Sequence, residues 1–390
     1  MKGVTLSAGF IPLVDAAPLI VAREMGFAAT EGLDLHLLRA PSWSSLRDML
    51  AFGQVDAAHM LAPVPVAMAL GLGGMATPID AVMVLSLNGT VIGVNATLAE
   101  IMREAGHGFG FDDATTAGRA LAAAAPGGLR LGVPFPFSMH ALLVRYWLGA
   151  IDPALQARIA IRTVPPPLMA DALASGEIDA FCVGEPWGSI AVERGVGDLL
   201  LPGVAIWQSA PEKVLAVRRD WAETERSLLG RLMRACWRAG RWLALPGSRI
   251  TAAEILARPG YLDMAPEIID RALSGRLLVS PRGDQRAVPG FVGFHNSSVP
   301  FPWRSQAAWI GAQLAAQHGL DRGPSIAAAK AVFRSDLFRA EIAETGADMP
   351  GASEKLEGAV SEPTAVASGR GGLILAPDRF FDGAIFDPTG

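Results

Sequence analysis

Residues 48–63 align without a gap on residues 171–186, and seven of the sixteen positions are identical. The first copy reads Asp48-Met-Leu-Ala-Phe-Gly-Gln-Val-Asp-Ala-Ala-His-Met-Leu-Ala-Pro63. The second reads Asp171-Ala-Leu-Ala-Ser-Gly-Glu-Ile-Asp-Ala-Phe-Cys-Val-Gly-Glu-Pro186. Each has the grammar of a helix end, a glycine turn, an exposed aspartate and a buried strand that closes at proline. Using one helix–turn–strand element twice, so far apart, implies two related lobes. A chain of 390 residues is long enough to give each lobe its own core. In open α/β sheets ligands bind beyond the carboxyl ends of the strands. That rule makes Met60–Pro63 and Val183–Trp187 the facing walls of one cleft.

The rest of the chain supplies matching elements. Strand-like runs at 3–9, 33–38, 55–60 and 81–87 alternate with helical patterns at 15–28, 44–52 and 65–71. Asp15 stands where the first of these helices needs an N-cap, and Ser42 or Ser45 could cap the second. The pattern repeats with strands at 129–133, 159–164 and 178–183 and helices at 140–148 and 168–174. Such order predicts an α/β protein whose two lobes are each a mostly parallel sheet flanked by helices. Lobe I is assigned to 1–87 plus 210–390, and lobe II to 88–209. The part of lobe I beyond 223 reads as helical (223–244, 251–257, 265–274, 303–318, 324–345), followed by a Gly/Pro/Asp-rich tail from about 350 that wraps the surface.

Several function classes are set aside by composition. The net charge of −5 offers no basic surface for a phosphate backbone, so direct nucleic-acid binding is not expected. Cys182 and Cys236 sit in apolar runs and read as buried thiols. Met60–Ile79 carries no charge, but Pro63, Pro65, Pro78, Gly71, Gly73 and Gly74 punctuate it, which argues against a membrane span. Met1-Lys2-Gly3 runs straight into the first strand without a basic and then apolar leader, so a cytoplasmic location is expected, or a periplasmic one if a leader has been removed. Gly-x-Ser-x-Gly, His-Glu-x-x-His, Cys-x-x-Cys and the P-loop are all missing, and the six histidines lack metal-ligand spacing. No catalytic residues, metal or cofactor are therefore assigned, and a binding protein is expected.

A local anion site needs donors and a compensating cation in a partly dry cleft. Lys213 opens an apolar strand in Pro211-Glu-Lys-Val-Leu215. His140 sits at the start of a helix after Pro134-Phe-Pro-Phe-Ser-Met139, where backbone amides also favour anions. Trp43 lies in a strand-to-helix loop, and Asn88-Gly89-Thr90 closes a strand. Each also has a structural reading: a solvated lysine, a capping histidine, a rim aromatic and an ordinary turn.

Pro136-Phe-Ser-Met-His140, Arg145-Tyr-Trp-Leu148, Val164-Pro-Pro-Pro167, Phe181-Cys-Val-Gly-Glu-Pro-Trp187 and Phe301-Pro-Trp-Arg-Ser-Gln306 resemble the nitrate- and bicarbonate-binding receptor family of ABC uptake systems. The resemblance runs from Gly9-Phe-Ile-Pro-Leu-Val-Asp-Ala-Ala-Pro18 to Phe381-Asp-Gly-Ala-Ile-Phe-Asp-Pro388. It implies a two-lobed, type II periplasmic-binding-protein-like fold. With its blunt start the chain is most similar to the cytoplasmic nitrate/nitrite-sensor (NasS-like) branch, which restrains a NasT-like RNA-binding antiterminator partner. The alternative is the receptor of a nitrate/sulfonate/bicarbonate-type ABC importer. By resemblance Trp43 stacks on a planar anion, His140 donates to it and Lys213 balances its charge. Bicarbonate receptors place an acid at that last position and use a metal, so the lysine points to nitrate or nitrite. Thr90 departs from the glutamine common in the transporter receptors. Gly184 and Glu185 are expected to line the floor through backbone amides, with the Glu185 side chain turned away or paired. An enzyme on the same scaffold, such as a pyrimidine-precursor synthase, would carry a cysteine-rich stretch that is missing around Cys182.

Overall fold

The computed structural model describes residues 3–295 and 299–389. Met1 and Lys2, on which the reading of the N-terminus rests, lie outside them.

Two sheets carry the architecture, and they share one strand plan. The first is built from β1 (Val4–Phe10), β2 (Leu33–Arg39), β3 (Ala57–Leu61), β4 (Ile79–Asn88), β10 (Pro211–Arg218) and the short β13 (Val292–Gly293). Its order is β13-β4-β10-β3-β1-β2. The second comprises β5 (Thr90–Asn95), β6 (Leu129–Val133), β7 (Ile159–Thr163), β8 (Ala180–Gly184) and β9 (Gly197–Pro202), in the order β7-β6-β8-β5-β9. In each sheet one strand arrives from the other lobe and inserts antiparallel beside the third strand: β10 against β3, and β5 against β8. The remaining main strands run in one direction, so the sheets are mixed but mostly parallel.

The repeated sequence element is this third strand with the helix before it. Both copies make the same contacts at equivalent places. Asp56 accepts a hydrogen bond from the Ser7 backbone N–H at 2.8 Å, and Asp179 accepts one from the Arg130 N–H at 2.9 Å. The return bonds run from the Asp56 N–H to Ser7 O and from the Asp179 N–H to Arg130 O. Gly53 and Gly176 hold the turns at φ of 73° and 72°, where a side chain would be strained. Each aspartate thus staples the entry of the third strand to the first, and the following apolar residues fall into the core.

Helices begin where short polar side chains satisfy their first N–H groups. Ser42 Oγ accepts from the Ser45 N–H at the head of the helix Trp43–Ala51, and Ser138 Oγ from the Ala141 N–H at the head of Met139–Ile151. Asp15 does not act this way. It lies in a short 3-10 turn, Val14–Ala16, and the helix Ala17–Glu24 starts without a side-chain cap. The long helical reading at 324–345 also divides, into Arg322–Val332 and Ser335–Ile342.

The two crossings between sheets are tight. Gly89 alone separates β4 from β5, and residues 203–210 separate β9 from β10. The hairpin β11 (Arg276–Leu278) and β12 (Gln285–Ala287), which the sequence reading groups with lobe I, lies with its flanks against the second sheet. Leu277, Val279 and Phe291 pack with Val91, Phe181 and Leu199 of the second sheet, and the Leu199 N–H donates to Val279 O. The tail also reaches that lobe. Phe380 packs near-parallel to Trp207 and Trp309, which also touch each other, and the Tyr146 hydroxyl donates to Asp382.

Asp56→Ala strands the Ser7 N–H and removes the bond to Ser7 Oγ as well. We expect a loss of about 1–3 kcal/mol of unfolding free energy in urea titrations, with the m-value unchanged.

Candidate functional site

The carboxyl ends of β1 and β3 in one sheet face the end of β8 and the helix Met139–Ile151 of the other lobe. Between them lies a cluster of ionisable groups removed from solvent. Lys213 and His59 are fully buried, and Asp15, His140, Glu212 and Trp43 are no more than 1% exposed. Lys213 Nζ sits 2.7 Å from Asp15 Oδ2 and 2.8 Å from Glu212 Oε1. Asp15 Oδ1 lies 2.9 Å from His59 Nε2, and Glu212 Oε1 lies 3.3 Å from His140 Nδ1. The Trp43 indole is next to His59, with ring centroids 5.7 Å apart, and Lys213 Nζ stands 5.5 Å from the Trp43 ring centroid. A buried ammonium over an indole face is attracted by the ring quadrupole.

Local irregularity makes this possible. Neighbouring residues of a regular strand point to opposite faces, yet the side chains of Glu212 and Lys213 touch. The β10–β4 pairing shifts register on both sides of Lys213. A shift of this kind re-aims a side chain, and here it turns the ammonium and the adjacent carboxylate into one pocket. Trp43 is fixed as the first residue of its helix by the Ser42 cap. His140 follows Ser138 at the start of the facing helix.

The charges settle by proximity and burial. Burial opposes ionisation of Asp15, but the Lys213 ammonium and the His59 bond outweigh it and hold the carboxyl at about 2. Glu212 has burial against it and shares the same ammonium, and it is pushed up to about 7. Burial drives His140 well below the ordinary histidine range, reinforced by Lys213. His59 is lowered by burial too, so both imidazoles are neutral. The Lys213 ammonium is held high by its two carboxylates against the effect of burial. Near neutral pH the cluster therefore contains one cation, one fixed anion and one carboxyl poised between states.

Several polar atoms here have no hydrogen-bond partner within the protein. They include Trp43 Nε1, both ring nitrogens of His140, His59 Nδ1 and Thr90 Oγ1. The indole N–H can only donate, and the hydroxyl can donate or accept. Unpaired buried donors drawn from both lobes around one cation are the features of a small-anion pocket.

The structure brings Trp43, His140 and Lys213 together with Gly184. A Cβ built on Gly184 would lie 3.0 Å from Leu13, 3.7 Å from Asp15 Oδ2 and 3.9 Å from His140 Nε2. Thr90 pairs with Gly184 across the antiparallel ladder and so shares its face. Its Oγ1 lies against Gly203, where any Cβ would come within 2.2 Å. The Glu185 side chain turns away from the cluster to accept from the Ser189 N–H, while its backbone O accepts from the Val14 N–H across the cleft. Asn88 and Gly89 are engaged at the crossing instead. Asn88 adopts φ 55° and donates Nδ2 to Gln208 O, and the Gly89 N–H donates to Phe291 O.

Sequence reasoning missed Asp15, His59 and Glu212. Asp15 read as a helix cap because a lone aspartate before an apolar helix has that grammar. His59 stood in view on the repeated strand, where its counterpart is Cys182. The wall opposite Glu185 and Trp187 is the Pro12–Asp15 loop: besides the Val14 bond, Trp187 Nε1 donates to Pro12 O at 2.8 Å.

Residues 2–257 match the NMT1-like family. The chain belongs to that family. It is 31% identical over 408 residues to the nitrate/nitrite binding protein NrtA of Synechococcus elongatus, covering 100% of this chain and 84% of that one. It is also 34% identical over 348 residues to the nitrate import ATP-binding protein NrtC of Synechocystis sp., covering 87% of this chain. The chain spans 50% of the length of that NrtC and 45% of the bicarbonate transport ATP-binding protein CmpC of Synechococcus elongatus. The structure superposes on the periplasmic nitrate-binding protein NrtA from Synechocystis PCC 6803 with a TM-score of 0.83 and 25% identity, covering 99% of this chain and 96% of that one. The alkanesulfonate-binding protein SsuA from Xanthomonas axonopodis, at TM-score 0.57 and 17% identity, shares the fold alone. Within the family the chain is thus a homologue of the NrtA nitrate-binding proteins, with the two-lobed binding-protein architecture.

Glu185 offers a check on the electrostatics away from the cluster. Its buried carboxyl is pushed up to about 7, so the folded state keeps a proton that the unfolded chain loses near 4.5. Stability contributed by this group therefore falls as pH rises between those values. Glu185→Gln should raise the Tm over wild type by a larger margin at pH 8 than at pH 5 in paired thermal melts.

Proposed function

We propose that this protein is a receptor that closes its two lobes on a small planar oxyanion, nitrate or nitrite, and performs no catalysis. The observation that carries this reading is the meeting of Lys213 and Trp43 from one lobe with His140 and Gly184 from the other in one cluster removed from solvent. Similarity to proteins named for nitrate and nitrite binding supports the choice of ligand. Nitrate is weakly hydrated, so one ammonium and the unpaired Trp43, His140 and Thr90 donors are enough to replace its water. The cation is a lysine held by carboxylates, and among the described residues no cluster of His, Cys, Asp or Glu is arranged to hold a metal ion.

Closure follows from where the groups sit. Only with the lobes together do His140 and Gly184 join Trp43 and Lys213, so an anion favours the closed form by its differential contacts. The bonds from the Val14 N–H to Glu185 O and from Trp187 Nε1 to Pro12 O latch that form. Gly89 and residues 203–210 take up the rotation.

The partners that fit this reading are the membrane and ATP-binding subunits of an importer. Relatives named as parts of import systems support that choice over the cytoplasmic sensor with its NasT-like antiterminator, which no feature of the site favours. A periplasmic location accords with the NrtA neighbour. No helix among the described residues is long and apolar enough to cross a membrane.

The direct test is a thermal-shift panel of nitrate, nitrite, bicarbonate, sulfate and taurine. The true ligand at a hundred times its Kd should stabilise the protein by about 2.7 kcal/mol; a panel in which neither nitrate nor nitrite shifts the melt sinks the reading. The structure also changes how Lys213 must be probed. Lys213→Ala leaves Asp15 buried and uncompensated, which costs about 3–5 kcal/mol, so the double variant Lys213→Ala/Asp15→Asn is the cleaner one. Calorimetry should show at least a hundredfold loss of nitrate affinity in that variant, and an unchanged Kd would refute the role given to the lysine. Trp187→Phe removes a latch without touching the pocket and should weaken binding by about three- to tenfold, chiefly by faster dissociation.

A further inference from the structure

We infer that the pocket takes its anion together with one proton, held by the Glu212–His140 pair, so that the true ligand is an oxyanion plus H⁺. This rests on the oxyanion reading above.

Charge in a dry space comes first. Two carboxylates, Asp15 and Glu212, contact the same Lys213 ammonium at 2.7 and 2.8 Å, and none of the three is more than 1% exposed. One negative charge is matched. With both carboxylates ionised the cluster already carries an excess of one, and an arriving anion would make it two with little solvent to screen them. A proton on Glu212 brings that excess down from two to one.

The position of the imidazole proton points the same way. Glu212 Oε1 lies 3.3 Å from His140 Nδ1, within charge-pair range though not aligned as a hydrogen bond, while His140 Nε2 faces the space in front of Gly184, 3.9 Å from where its Cβ would stand. An ionised Glu212 next to a neutral imidazole draws the proton to Nδ1 and leaves a lone pair on Nε2, pointed at the anion. When the pair holds a second proton, whichever partner carries it, Nε2–H is available to donate. The same proton cancels a charge and turns His140 into a donor.

The groups facing Glu212 come from four other places in the fold. Lys213 is its neighbour on β10, Asp15 lies on the turn after β1, His59 on β3, His140 on the facing helix and Cys182 on β8. Asp15 is held ionised, His59 and His140 neutral, and burial keeps the Cys182 thiol protonated. Glu212, at about 7, is the member able to exchange a proton under physiological conditions. The sign follows from linkage: the bound form keeps its proton to higher pH than the free form. Affinity is therefore flat below about pH 6.5 and falls by up to about tenfold per pH unit above pH 7.

Calorimetry of nitrate with the wild-type protein at pH 8, in HEPES, Tris and Tricine, reads the proton directly. The observed heat should vary linearly with buffer ionisation enthalpy, with a slope of about 0.5–1 proton taken up per anion. Nitrate heats that are identical in all buffers would overturn the proton coupling and leave the oxyanion reading standing. No nitrate binding at any pH from 6 to 8 would overturn both. Glu212→Gln, which keeps a permanent neutral donor toward His140, should bind nitrate with an affinity independent of pH between 6.5 and 8.5. A variant that keeps the wild-type pH slope would show that the proton is not carried by this pair.

Discussion

A lysine ammonium with no access to water holds this molecule's site together. Lys213 is tolerated inside only because Asp15 and Glu212 reach it, and each of those groups commits a further one. Asp15 holds His59, His59 lies against Trp43, and Glu212 faces His140 on the opposite lobe. Burying a charge this deeply is unfavourable unless its partners are fixed. The surrounding structure supplies that fixity through a register shift in β10, a serine cap beneath Trp43 and a second serine cap beneath His140. A receptor gains from such an arrangement because its donors are already oriented when the ligand arrives.

The fold was legible to a large degree because its signals are local and repeated. The helix–turn–strand element announced itself twice, and the structure places both copies as third strands stapled through Asp56 and Asp179 to their first strands. Strand periodicity and glycine punctuation located most other elements to within a few residues. Long-range packing was not legible. Nothing local to residues 276–291 says that they lie on the second sheet, nor that Phe380 will join Trp207 and Trp309 in one aromatic cluster.

The candidate site divides along the same line. Trp43, His140 and Lys213 could be singled out because each is an unusual side chain in an apolar or loop context and the family resemblance pointed to each. Asp15 could not, because its neighbours describe a helix cap and only tertiary contact reveals its partners. Asn88 and Gly89 were drawn into the site by their polar, turn-compatible chemistry. That chemistry serves the crossing, where a positive φ and a hydrogen bond to Gln208 O are what the chain needs.

The sealing of the pocket has a kinetic meaning. Trp43 is 1% exposed, and the Pro12–Asp15 loop is bonded to Glu185 and Trp187 across a seam between the lobes. On the function proposed above, an occupant covered by the indole leaves when the halves swing apart. Its residence time is then the lifetime of the shut state. Contacts that never touch the ion would set how long it stays, and any transport machinery that unloads such a receptor would have to pry at that seam rather than compete for the ion itself.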